Sequence, residues 1–301
     1  MSFSAPPGAY GSADPLFLLL AAMAIEAYLG GRLPRLPWLP HPRRALVRFV
    51  AALEGRLNRP ERSAAARRTR GAIVAAVLLP LAVAVGWVAM LLTRNYPFAW
   101  TLELLLLASL VSQRGTWRLA ADLRGALGDG SQQRARRALM PLAADALSPS
   151  AVEALDRALL APAGVAALGR RFAGDLVSPV LWYVALGLPG LFLQQTAQVL
   201  RRQLAGRGPF GRAAGAAGRN VAAPGALLAG VLLAAAAAFV PAGQPGGALR
   251  AARRPEAAIA AALPAEDGVA RLGRALALFA VGCLIVAGLV AGLALLRLGL
   301  R

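Results

Sequence analysis

The sequence predicts an all-α protein: a polytopic helical bundle integral to the membrane, with amphipathic cytoplasmic helices. Three observations carry that reading. The 301 residues are 58% hydrophobic, with a mean hydropathy of +0.58. Only 16% are charged, well under the roughly 25% of a soluble domain. Two long uncharged runs lie between arginines, and no alternation long enough for a strand interrupts the pattern.

The first of these runs, residues 71–93 between Arg70 and Arg94, holds 23 uncharged residues. As a helix it is about 35 Å long, enough for a hydrocarbon core of roughly 30 Å. Pro80 fits inside it, because neighbouring helices satisfy the freed carbonyl. The second, residues 275–296 between Arg274 and Arg297, holds 22 and is centred on Cys283. Four flawed runs join them: Pro15 to Leu29 with Glu26, Phe98 to Val111 with Glu103, Leu176 to Leu200 with Pro179 and Pro189, and Val221 to Leu249 with Pro224, Pro241 and Pro245. A carboxylate at a span centre costs about 2.5–3.5 kcal/mol. Glu26 and Glu103 are therefore expected to face other helices or an interface, as structural partners or as functional groups. No positive charge occurs in residues 1–14, so the first run lacks the basic start of a signal peptide and reads as a membrane segment.

Charge sets the orientation. All 33 basic residues are Arg, against 14 acids, for a net charge of +19. A nucleic-acid binder would not combine this charge with this hydropathy, so basic loops facing an anionic membrane surface are expected, with membrane lipids as partners and no nucleic acid. Residues 30–70 carry eleven Arg against Glu54 and Glu61, residues 113–175 nine Arg, and residues 201–220 five Arg and no acid. The positive-inside rule places all three on the cytoplasmic side of a bacterial inner membrane. Residues 176–200 then form a re-entrant or interfacial hairpin broken at Leu188 to Gly190, leaving about five crossings. The chain reads as one membrane domain over 1–301, with cytoplasmic helical segments at 30–70 and 113–220.

Within the cytoplasmic segments, Leu46, Phe49, Val50, Leu53 and Leu57 recur at helical spacing opposite Arg44, Arg48 and Arg59, describing a basic interfacial helix that meets lipid phosphates or an anionic substrate. Ser150 with Glu153 forms a capping box for a helix running to Leu160. The single cysteine, Cys283, excludes an intrachain disulfide and reads as a packing residue. The single histidine, His41, stands in PWLPHPRR, as a loop residue or a polar contact at the membrane mouth. No P-loop, CxxC or internal repeat is present.

The order WLPHPRRALVRFVAALEGRLNR, RGAIVAAVLLPLAVAVGW, LLLLASLVSQRGTWRLAADLRGAL and FAGDLVSPVLWYVALGLPGL resembles the membrane-bound adenosylcobinamide-phosphate synthase family of cobalamin biosynthesis, the CobD/CbiB proteins, over about residues 15–225. The resemblance implies an ATP-dependent acid-amine ligase joining adenosylcobyric acid to aminopropanol or its phosphate, with ATP and Mg as cofactors, and a corrinoid substrate or other corrinoid-pathway proteins as partners. It also implies cation-binding carboxylates, and here this chain departs. The family's Glu-Asn-x-x-Asp-Gly corresponds to Arg170-Arg171-Phe172-Ala173-Gly174-Asp175, and its Lys followed by Asn-Thr-x-Asp to Gln194 through Arg201. Its Gly-Tyr-Arg/Lys-Asn-Glu corresponds to Gly206-Arg207-Gly208-Pro209, and its Arg-x-Asp-Asp to Arg219-Asn220.

Two outcomes follow from the departures. Either the ligase survives on Asp175 and acids elsewhere such as Asp122 or Asp145, or the chain is a catalytically degenerate paralogue acting as a membrane scaffold or signalling modulator. The site residues expected are Asp175 and His41 for catalysis, and Arg207, Arg171 and Arg44 for substrate, with no metal ligand assigned. Asp175 is read as a cation ligand or hydrogen-bond acceptor that equally suits pairing with Arg171 four residues earlier, and Arg207 as a bidentate phosphate clamp or a solvated loop residue. A transporter is the third class, disfavoured because the two halves show no matching broken helices.

Overall fold

The computed structural model describes residues 14–30, 42–59, 61–96, 98–204, 206–265 and 268–300, with the side chains of 42–44 set aside. His41 and the Arg44 side chain lie outside the described residues. Among those described, the chain is helical throughout, without a strand.

Three helices are long and apolar enough to cross a membrane: α3 (Ala64–Asn95), α11 (Gly208–Ala237) and α14 (Gly268–Gly299). Helix α3 starts where the Ser63 hydroxyl accepts the Ala66 N–H. It carries Pro80 inside and reaches about 48 Å for its 32 residues. Two apolar helices are shorter, α1 (Pro15–Leu29) and α4 (Trp100–Leu110). At about 22 and 16 Å they fall short of a hydrocarbon core, and they pack on each other. Their acids face protein. Glu26 accepts the backbone N–H groups of Gln113 and Arg114 at 2.8 and 3.1 Å, capping α5 (Arg114–Gly128). Glu103 accepts the Tyr183 hydroxyl at 2.6 Å.

The basic stretch 201–220, read as part of a cytoplasmic helical segment, is largely the first half of α11. Gly211, Gly218 and Gly225 recur at seven-residue spacing and let the helix backbone lie directly on Leu204, Ala197 and Ser178, so a Gly-rich stretch forms a packing face. One sequence expectation is corrected: the cap expected at Ser150 lies two residues earlier. Ser148 caps the short α7 (Pro149–Glu153) by accepting the Ala151 N–H, and its hydroxyl is also bonded to that of Ser150 at 3.0 Å. A separate helix, α8 (Arg157–Arg171), then begins after Asp156 and contains Pro162. With α6 (Gln132–Ala143), α5 and α8 bury Leu123, Leu139, Leu142, Leu160 and Leu168 completely.

Helix α8 continues through a π-helical stretch, Phe172–Val177, into α9 (Ser178–Leu186), and α10 (Leu188–Gln203) follows. The pair α9 and α10 is an antiparallel hairpin: Gly190 lies against the Trp182 carbonyl near the tip, and Gln198 donates to the Gly174 carbonyl at 2.8 Å near the base. The break is at Gly187, one residue before the Leu-Pro-Gly expected, with φ 68 and ψ −148. Only glycine adopts that conformation without strain, and Pro189 then opens α10. The tip meets α3 at Gly86, where a β-carbon would lie 2.6 Å from the Pro189 Cα.

At the base, Phe172 meets Phe279 of α14 edge to face, with centroids 5.6 Å apart. Of two short helices, α12 (Pro245–Arg250) packs on α11 and α13 (Pro255–Ala261) on α8 and α11, and α2 (Pro42–Leu57) lies on α10 and α3.

Replacing Gly187 by Ala is expected to cost about 1–3 kcal/mol, read as a fall in thermal midpoint of the detergent-solubilised protein. Gly55→Ala in α2, where a β-carbon meets nothing within 4 Å, should leave the midpoint unchanged or raise it.

Candidate functional site

The hairpin base is where the polar side chains collect. A π turn carries an additional residue relative to an α turn and is common where helices present functional groups. Here it brings Asp175 inward, 2% exposed. Its Oδ2 accepts Arg171 Nη1 at 3.2 Å; its Oδ1 accepts Arg202 Nη2 at 3.0 Å and Gln198 Nε2 at 3.1 Å. The Asp175 carbonyl accepts the Ser112 N–H at 3.0 Å, tying the π turn to the segment after α4. Arg171 is itself fixed, its Nε donating to the Leu142 carbonyl at 2.7 Å.

A second carboxylate, Asp145, takes Arg170 Nε on Oδ2 at 3.4 Å. Arg201 feels both acids. Burial pulls its guanidinium pKa below the usual value and the neighbouring Arg202 adds to that, while Asp145, Asp175 and Glu256 act in the opposite direction. The cluster therefore sets four guanidinium groups against three carboxylates, a surplus of one positive charge. Its donors converge on Gly174. Gln198 Nε2, Arg202 Nη2 and Arg201 Nη2 stand 2.7, 3.2 and 3.8 Å from the point a β-carbon would occupy there.

The acceptors nearby are less satisfied. Among the described residues, Asp145 Oδ1 and the Oε1 atoms of Gln194 and Gln198 are buried without a protein partner. Such oxygens are costly unless a water, a ligand donor or a cation meets them.

Of the site residues expected from sequence, Asp175 and Arg171 come together. Arg207 does not join them: it is 59% exposed and pairs with Glu54 of α2 at 3.4 Å. Its guanidinium position supports α2 instead of the buried cluster. Arg202, Gln198 and Glu256 were not singled out by sequence. The available signal was the spacing of Gln194, Gln198, Arg201 and Arg202 along one face of a helix that sequence reads as an apolar hairpin arm.

A divalent cation does not fit Asp175 as it stands. Both carboxylate oxygens are engaged by guanidinium groups, each repelling a close unit positive charge by on the order of 4 kcal/mol at an effective dielectric near 20. Among the described residues no three His, Cys, Asp or Glu side chains come close enough to hold a metal ion.

Removing the Asp175 carboxylate takes the shared acid from Arg171 and Arg202, which are only 16% and 11% exposed. Asp175→Ala is expected to destabilise the protein by about 3–5 kcal/mol, measured by thermal or denaturant unfolding in detergent. Arg207→Ala breaks an exposed pair and should change stability by no more than about 1 kcal/mol in the same measurement.

Comparison with known proteins places this chain in a family. A protein of Sinorhizobium sp described as Cobalamin biosynthesis protein CobD is 29% identical over 182 residues, 58% of this chain and 53% of the relative. One of the same description from Rhizobium meliloti (strain 1021) is 28% identical over 239 residues, 76% of this chain and 70% of the relative. The chain thus spans about half the length of the first relative, at 53%. No solved structure matches. The model of the CobD/Cbib protein family matches residues 19–268, and the apolar helices of that region are those of a membrane protein. The chain belongs to the CobD/Cbib family, a membership that points to cobalamin biosynthesis.

Proposed function

We propose that this chain serves cobalamin biosynthesis from the bacterial inner membrane as a multi-pass protein whose buried cluster binds the carboxylate or phosphate of a corrinoid-pathway compound, without the family's metal-dependent amide ligation. The observation that carries this is the occupation of both Asp175 oxygens by guanidinium groups. An acid so paired does not ligate a cation, whereas the surplus cation of the cluster suits an incoming anion. Arg201 is the residue we assign to that anion, with Gln198 Nε2 and Arg202 Nη2 beside it over Gly174. In this reading Arg170 and Arg171 hold Asp145 and Asp175 in place, and α5 to α8 offer a helical face to other corrinoid-pathway proteins. Membrane lipids surround α3, α11 and α14.

The second reading, a surviving ATP-dependent ligase, is favoured by one observation. Asp145 Oδ1 and the Gln194 and Gln198 Oε1 atoms are unpartnered buried oxygens, the hard donor type that Mg²⁺ prefers.

Membranes containing the protein, supplied with adenosylcobyric acid, aminopropanol or its phosphate, ATP and Mg²⁺, are expected to yield no adenosylcobinamide product, and the gene should not rescue a strain lacking its synthase. Adenosylcobyric acid should still bind the purified protein, with affinity falling about tenfold or more in Arg201→Gln, the loss of one charge-assisted contact. Product formation, or binding indifferent to Arg201, contradicts the proposal.

A further inference from the structure

A second feature lies apart from the arginine cluster, on the side of the hairpin facing α2. A cavity of about 180 Å³ opens between α2, α3 and α10. Its walls are apolar: Phe49 of α2, Leu78, Ala82 and Val85 of α3, and Phe192 of α10. Leu78 and Val85 are seven residues apart, so the slot runs about 10 Å along α3. One stretch of its lining is polar, Gln195 and Thr196. Gln195 is 5% exposed. Its Nε2 donates to the Leu110 carbonyl at 3.3 Å, while its Oε1 has no protein partner.

Size and chemistry narrow the occupant. An apolar cavity of about 150 Å³ takes up a benzene-sized molecule, and drug-sized ligands need about 300 Å³ or more. This slot is therefore too small for a macrocycle and suits one narrow apolar chain. It adjoins α3, a helix long and apolar enough to cross a membrane. The wall formed by α2 leaves Phe49 half exposed, 49%, and the same helix exposes Arg48 and Arg56. An apolar slot, an orphaned carbonyl acceptor and exposed guanidinium groups match the acyl chain, headgroup hydroxyl and phosphate of one molecule.

We infer that the slot between α2, α3 and α10 is a binding site for an anionic phospholipid with a hydroxyl-bearing headgroup, of the phosphatidylglycerol type. One acyl chain lies along Leu78 to Val85, a headgroup hydroxyl donates to Gln195 Oε1, and Arg48 and Arg56 attract the phosphate. The site is independent of the corrinoid reading, since it uses none of Arg170, Arg171, Asp175, Arg201 or Arg202.

The test uses the full-length protein, delipidated in detergent and titrated with phosphatidylglycerol or phosphatidylcholine of identical acyl chains. Bound lipid is counted by native mass spectrometry. Phosphatidylglycerol should be retained about tenfold over phosphatidylcholine, and Arg48→Gln with Arg56→Gln should bring the two close to equal. Filling the slot with Ala82→Phe should abolish retention, whereas Ala84→Phe, on the exposed face of the same helix, should leave it intact. Equal retention of both lipids by the unaltered chain, or retention by Ala82→Phe, overturns the proposal. Should Ala82→Phe not fold, phosphatidylglycerol with a photoreactive acyl chain is crosslinked to the unaltered protein. Adducts on Val85 or Phe192 support the site. Adducts only elsewhere, or a second copy of the chain crosslinked over this face, overturn it.

Discussion

The double ion pair of Asp175 with Arg171 and Arg202 is the constraint around which the hairpin base is organised. One carboxylate, 2% exposed, joins the π turn to α10 through Arg202 and Gln198, and to the end of α6 through Arg171 and the Leu142 carbonyl. A buried pair of this kind adds little stability compared with an apolar core of the same volume, because desolvating the charges offsets their attraction. Its consequence is specificity of arrangement. With two guanidinium groups committed to one acid, the hairpin arms are held in one register.

The rest of the hairpin follows from backbone sterics. Gly187 allows the reversal and Pro189 restarts the helix, while Gly86 and the Gly211, Gly218, Gly225 series let backbones touch where side chains would keep them apart. These small contacts compensate for a hydrophobic effect that weakens as a driving force between helices in lipid. Glu26 and Glu103 illustrate the same accounting for polar groups. Each carboxylate in an apolar helix is matched to a specific donor, backbone amides for one and a tyrosine hydroxyl for the other.

Much of this was legible in the sequence. Helical class, the runs that became α3 and α14, and a break beside Leu188-Pro189-Gly190 all follow from hydropathy, Arg placement and Pro-Gly punctuation. Part of the site was legible too, because Arg171 and Asp175 are four residues apart. What stayed hidden is long-range. Nothing local says that Arg202 returns to Asp175 across 27 residues, or that Arg207 turns instead to Glu54. The π turn has no local signature, and the continuity of α11 across residue 220 is hidden because its Gly- and Arg-rich first half and its apolar second half read as separate segments. Family resemblance located the segment, but the pairing of Asp175 with Arg202 is visible only in three dimensions.

The account rests on guanidinium groups, and no divalent ion, being the partners of Asp175. The most direct measurement is electron paramagnetic resonance of Mn²⁺ added to the purified, detergent-solubilised protein as a stand-in for Mg²⁺. The account predicts that the chain and its Asp175→Asn variant leave the same free Mn²⁺ signal. A bound Mn²⁺ population in the unaltered chain that disappears in Asp175→Asn would contradict it.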